Sequence, residues 1–227
     1  MSINTVQSID NQVPIKTILI SVSDKSGLET LVPELIKIIP DVKLLSTGGT
    51  YKKIASLLPE PSAAALIPVS GYTGQPETQG GLVKTLDFKI YLGLLTETYN
   101  EAHQADLDRT HAVPIDMVIV NLYPFQQTVA QQDVTVEAAR GNIDIGGPCM
   151  IRAAAKNFIR VAPVVDTSDY PLILEELRAR QGQTTLETRV RLAKKAFAHT
   201  ADYDRAITEY LHSRSIDEVK AAYPDIR

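Results

Sequence analysis

With 227 residues, 44% of them apolar and 22% charged, the chain can bury a substantial core and is too apolar to be largely disordered. Its formal charge of −4 supplies no basic field for nucleic acid, so a small anion has to be held by local devices. The single cysteine, Cys149, excludes an internal disulfide and a cysteine-based zinc site and fits a reducing compartment, and no apolar run approaches the roughly 20 residues that span a bilayer.

The lead-in MSINTVQSIDNQVP is polar, with no basic segment followed by an apolar one, so it does not read as a signal peptide. A cytoplasmic protein with a flexible segment over residues 1–15 is the expectation. Residues 16–22, KTILISV, are an apolar, partly β-branched run suited to a buried parallel strand. After SDKSG, the spacing of Leu31, Leu35, Ile36 and Ile39 predicts an amphipathic helix from Leu28, with Pro33 in its early turns. Val42 to Leu45 predicts a second strand, STGGT a loop, and Tyr51 to Leu58 a second helix. PEPSAAALIPVS leads into GYTGQPETQGGLVKTLDFK, whose glycines and turn formers predict a long polar loop. Ile90 to Leu95 reads equally as strand or helix, Glu101 to Arg109 as polar helix, and Met117 to Val120 as the clearest strand. VTVEAARGNID predicts a helix capped by Thr135, Met150 to Asn157 another helix, and VAPVVD a strand. TSDYPLILEELRAR predicts a helix capped by Thr167 or Ser168, and residues 185–212 one or two long polar helices. Strands alternating with helices predict an α/β fold with a mainly parallel central sheet over residues 16–184, followed by a C-terminal helical extension over 185–227.

Two segments, SVSDKSG and LLSTGGT, each place hydroxyls and glycine between a strand and a helix start. Helix N-termini present unpaired N–H groups, so phosphate fits there, with Lys25 beside one of the two loops. The alternative is that Ser23, Asp24, Ser26, Thr47 and Thr50 only cap helices. Lys84 and Thr85 follow a glycine pair, Asn121 leaves the end of a strand in VIVNLYPF, and Tyr123 is an oriented donor or a core-edge phenol. Asp144 stands between two isoleucines, and a buried carboxylate needs charge or N–H partners. Lys156, on the helix that follows, either pairs with it as a structural ion pair or shares a site with it. His103, His111, His199 and His212 lack metal spacing and are expected at the surface away from these motifs, as is Lys89. Cys149 has no histidine near it in sequence to make it a nucleophile. The expected chemistry uses lysine, tyrosine and aspartate, with no metal or cofactor.

Taken in order, SVSDKSGL, STGGT, YTGQPE, VKTL, VNLYPF, NIDIGGP, RAAAKN and AKKAFAHTADYD resemble the IMP cyclohydrolase domain of the bifunctional purine-biosynthesis protein. The resemblance runs from about Lys16 to Leu211. It implies a methylglyoxal-synthase-like three-layer α/β fold with C-terminal helices, a homodimer, and ring closure of FAICAR (5-formamidoimidazole-4-carboxamide ribotide) to IMP without cofactor. The formyltransferase domain that follows in that family has no counterpart in this sequence. Matched motif to motif, the phosphate would lie by Ser23, Lys25, Thr47, Gly48, Gly49 and Thr50. The base would lie by Lys84, Thr85, Asn121, Asp144, Ile145 and Gly146. The general acid/base lysine falls on Lys156, with Lys84, Tyr123 and Asp144 supporting it, and Gly146 and Gly147 letting backbone donors approach the reacting oxygen. A nucleotide-binding homologue that partners a separate formyltransferase is the alternative, and methylglyoxal synthase a third reading.

The sequence departs from the family at one loop. Relatives usually read Arg-Val-Lys-Thr-Leu-His-Pro where this chain has Leu82-Val83-Lys84-Thr85-Leu86-Asp87-Phe88, and Tyr91 replaces a second histidine. An uncompensated guanidinium contact would cost about 1.5 to 3 kcal/mol of nucleotide affinity.

Overall fold

The computed structural model describes residues 5–60, 62–76, 78 and 84–226; the Leu82 departure and the Gly80-Gly81 pair lie outside them. β2 (Thr17–Val22), β3 (Lys43–Ser46), β4 (Leu66–Pro68), β5 (Met117–Asn121) and β6 (Ala162–Val164) form one parallel sheet in the order β4-β3-β2-β5-β6. Ile18 pairs with Leu44 on one side and Met117 on the other, which fixes the register of the three central strands. From β2 the chain winds outward through β3 and β4, then returns to build β5 and β6 on the opposite side. The winding reverses between β2 and β5, and in open α/β sheets that is where a crevice opens beyond the strands' carboxyl ends.

The sheet is apolar on both faces because helices cover both. Ile18, Ile20, Leu44, Met117 and Ile119 pack in one layer with α1 (Leu28–Ile38), Ile54 of α2 (Gly48–Ala55) and α9 (Tyr170–Ala179). Leu19, Leu45, Val118 and Val120 point the other way, toward α4 (Phe88–Leu95), α8 (Gly146–Lys156) and α10 (Leu186–His212). This is the expected three-layer α/β arrangement with a parallel sheet. The ambiguous 90–95 segment is helix, and α5 (Glu101–Thr110) and α7 (Val136–Gly141) stand where helices were predicted. Among the described residues no helix is long and apolar enough to cross a membrane.

Several expectations are corrected. The segment read as a flexible lead-in carries β1 (Gln12–Pro14), which pairs antiparallel with β7 (Gln183–Thr185) and buries Val13. A boundary at 184/185 would cut through β7. Beyond it, α10 buries Leu192, Ala193, Ala196, Tyr203 and Tyr210 and is a core helix. Its Arg189 is fully buried, donating to the carbonyls of Thr184, Asp10, Phe158 and Ile159 at 2.6, 2.7, 3.0 and 3.2 Å. The long polar loop is bounded by α3 (Val69–Thr73) at one end and α4 at the other. STGGT is no loop, since Gly48 and Gly49 open α2. Neither Thr167 nor Ser168 provides the cap before α9; the Asp166 carboxylate accepts from Ser168 N–H at 2.8 Å.

Candidate active site

A cavity of ≈ 320 Å³ opens at the carboxyl ends of β2, β3 and β5, where the winding reverses. It is lined by Ser23, Lys25, Thr47, Gly49, Thr50, Lys84, Thr85, Asn121, Tyr123, Asp144, Ile145 and Gly146. Segments distant in sequence thus converge on one space. Gly48 borders it through its contact with Lys84.

Part of the cavity wall brings two lysines to the start of α2. Thr47 precedes α2 but makes no side-chain cap bond, and no acidic residue occupies the first turn. The N–H groups there are therefore left for a ligand. Two ammonium groups reach the same turn. A β-carbon built on Gly48 would stand 3.2 Å from Lys84 Nζ, and one on Gly49 would stand 3.9 Å from Lys25 Nζ. Gly48 also adopts φ +46°, a left-handed conformation that glycine takes at no steric cost. Free amides, a helix dipole and two nearby lysines are the elements from which an anion site can be built; Lys25 Nζ donates meanwhile to Ser23 O at 3.2 Å.

Three of the expected contact residues, all lining the cavity, have their side chains hydrogen-bonded within the protein. Asn121 Oδ1 accepts from the N–H groups of Ser23 and Asp24 at 2.7 and 2.8 Å, and its Nδ2 donates to Asp24 O at 2.8 Å. It ties the loop after β2 to the end of β5. Thr50 is buried, donating its hydroxyl proton to Val22 O at 3.0 Å and accepting from Val22 N–H at 3.1 Å. Thr47 Oγ1 is engaged with Ser21 Oγ at 2.9 Å. Ser21 also lines the cavity and was missed, although it is the one hydroxyl near the end of an otherwise apolar run.

Another part of the wall is formed by Asp144 and the start of α8. Asp144 Oδ1 accepts from Gly147 N–H at 3.0 Å, and the Tyr123 N–H also hydrogen-bonds the carboxylate. Burial raises its pKa above the ordinary 3.8, against the pull of those N–H groups and of the Lys84 charge. The cation near Asp144 is therefore Lys84; the expected pairing with Lys156 is not present. The glycines here are dictated by space. A β-carbon on Gly146 would collide with Thr85 Oγ1, and one on Gly147 with the Asp144 carboxylate and, at 2.7 Å, with Leu122 Cδ2. The Gly147 N–H is spent on Asp144, so it does not reach out to a reacting oxygen as expected.

Lys156 does not line the cavity. It is exposed at the far end of α8, and an α-helix rising 1.5 Å per residue carries it about 15 Å from Gly146. Tyr123 is 45% exposed and stands between this cavity and a second one of ≈ 510 Å³. His199, expected at the surface, is half-buried in the wall of that second space, where burial lowers its pKa. Lys89 is likewise half-buried, its ammonium over the Tyr72 ring. The departures Asp87, Phe88 and Tyr91 fall away from the cavity wall. Asp87 caps α4 by accepting from Lys89 N–H at 2.8 Å, Phe88 is 60% exposed, and Tyr91 faces Cys149. Tyr203, in the AKKAFAHTADYD motif, carries no role in the sequence reading; its hydroxyl accepts from Asp144 N–H at 2.8 Å.

Comparison with known proteins gives a consistent relationship. The family model for the MGS-like domain matches residues 27–149, and that for the AICARFT/IMPCHase bienzyme matches residues 154–226. The bifunctional purine biosynthesis protein PurH of Chlorobium phaeobacteroides (strain BS1) is 46% identical over 207 residues, 91% of this chain and 38% of that protein. PurH of Neisseria meningitidis serogroup C / serotype 2a (strain ATCC 700532 / DSM 15464 / FAM18) is 46% identical over 212 residues, 93% of this chain and 39% of that protein. The chain thus spans about two fifths of the length of these relatives. Among solved structures, that of ForH superposes with a TM-score of 0.73 at 30% identity, covering 86% of this chain and 98% of the other. The first match contains the helix start, the strand end and the carboxylate that form the cavity, and by it this chain belongs to the MGS-like domain family.

Proposed function

We propose that the chain is an IMP cyclohydrolase, closing the ring of FAICAR to give IMP and water. The observation that carries this reading is the polarity of one cavity: an anion subsite at the start of α2 and a half-buried carboxylate at the start of α8. A ribotide has a matching layout, with its phosphate at one end and the reacting carboxamide and formamide at the other. The 46% identity to PurH supports the same choice.

The carboxamide nitrogen attacks the formyl carbon of the same molecule, and the formyl oxygen leaves as water carrying one proton from the carboxamide nitrogen and one from the formamide nitrogen, whose loss forms the ring C=N bond. Because both groups belong to one substrate, holding them in contact supplies much of the acceleration. Phosphate binding by the α2 amides, Lys25 and Lys84 fixes one end. Asp144, with its raised pKa, is placed to take the carboxamide proton and return it to the departing oxygen. The Tyr123 phenol is the available donor to the developing oxyanion. Lys156 stands outside this constellation, and that position favours the second reading, a nucleotide-binding homologue partnering a separate formyltransferase. Following ring closure by absorbance with purified protein separates the two. Turnover well above the spontaneous rate supports the cyclohydrolase, whereas IMP binding without turnover supports the binding protein.

A further inference from the structure

We propose that Tyr203 is the positioning residue that aims Asp144 into the cavity, an assignment that rests on the reading of Asp144 as a reacting group. The Tyr203 hydroxyl accepts from Asp144 N–H at 2.8 Å and donates to Asn142 O at 3.2 Å. One group therefore grips the backbone on both sides of Ile143, in the short link between α7 and α8. A hydroxyl has one donor and two acceptor sites, and this pairing uses it in both capacities. The ring itself is buried and meets Phe125 edge-on, with centroids 6.1 Å apart.

Tyr203 is brought there by α10, a 27-residue helix. Its first turns are locked by Arg189 through four backbone carbonyls. Fourteen residues further on, about 21 Å along the axis, the same helix delivers the Tyr203 hydroxyl to the link. The carboxyl of Asp144 is held by Gly147 and Tyr123 N–H groups, but its own N–H is held from α10. Removing that grip frees the peptide to rotate and lets the carboxyl turn toward water. Among the described residues, the titratable groups acting on the pair are Lys84 on Asp144, and Tyr123 and Asp204 on Tyr203.

Tyr203→Phe keeps the ring and deletes the hydroxyl. We expect kcat to fall about tenfold, the worth of one lost hydrogen bond to a reacting group, with KM and the affinity for inorganic phosphate unchanged. In carbon NMR, assigned with Asp144→Asn, the Asp144 titration should move down toward the ordinary aspartate range. Tyr210→Phe is the control. Tyr210 also packs on Phe125, at 5.8 Å, and its hydroxyl has no partner among the described residues. This control should change neither quantity. An unshifted Asp144 titration in Tyr203→Phe overturns the proposal, as does an equal loss of phosphate affinity and kcat. If the wild type does not cyclise FAICAR, the cyclohydrolase reading falls, and the NMR titration alone still decides the role of Tyr203.

Discussion

The Lys84 ammonium rests against Gly48, so close that a β-carbon there would stand 3.2 Å away. Gly48→Ala would push the ammonium aside and strain a backbone at φ +46°. We expect both Gly48→Ala and Lys84→Met to weaken binding of IMP about tenfold or more, the value of one charge-assisted hydrogen bond. Isothermal titration at two salt concentrations checks this.

In the proposed mechanism Asp144 serves as a base, which requires it ionised, and burial raises its pKa above the ordinary 3.8. The acid limb of kcat/KM should therefore lie above the range of an exposed aspartate. Lys84 pulls the pKa down, so Lys84→Met should move that limb to still higher pH. Asp144→Asn should lose about a hundredfold or more in kcat, as expected for a general base. A pH–rate series on the three proteins reads all of these effects.

Much of this architecture is legible in the chain because β2, β3, β5 and β6 are short apolar runs bounded by turn formers. β4 was not, since Leu66–Pro68 is three residues ending in proline. Such an edge strand leaves almost no periodic signal. For the cavity, residue types were readable but their partners were not. Asn121 and Thr50 have the chemistry of ligand contacts, yet they bond to backbone at Asp24 and Val22. Lys156 follows Asp144 closely in sequence, but the intervening α8 carries it away. Tyr203 acts across 59 positions of separation, beyond any local pattern.

Arg189 offers a test of what holds α10. Burial lowers its pKa to about 10, which leaves it charged at neutral pH and donating to four carbonyls. Arg189→Met keeps much of the volume and strands those acceptors. A loss of about 3 to 5 kcal/mol is expected, measured by urea denaturation.

Asp166 gives a pH dependence of stability. The Ser168 N–H, followed by Lys195, holds its pKa at about 2. A depressed carboxylate pKa stabilises the fold above the unfolded value of 3.8, and that gain disappears as pH falls through about 2. The melting-temperature gap between wild type and Asp166→Asn should be constant near neutrality and close on acidification. Thermal scans from pH 7 downward read the gap.

Lys156→Ala should leave IMP affinity unchanged, because Lys156 does not touch the cavity. The check is the titration used for Lys84→Met. Loss of cyclisation with binding intact, restored by mixing with the inactive Asp144→Asn protein, would place that ammonium in the cavity of a second copy of the chain.

The pairing of β1 with β7 gives the beginning of the chain a mechanical task. Trimming it back to Lys16 would unzip β7 and strip the Asp10 carbonyl from Arg189. The rod that starts there would then pivot, and its distal phenol would drift from the peptide it clasps. The stretch from Asp10 to Pro14, which looks dispensable, is in effect the ballast of a lever whose far end is the cavity.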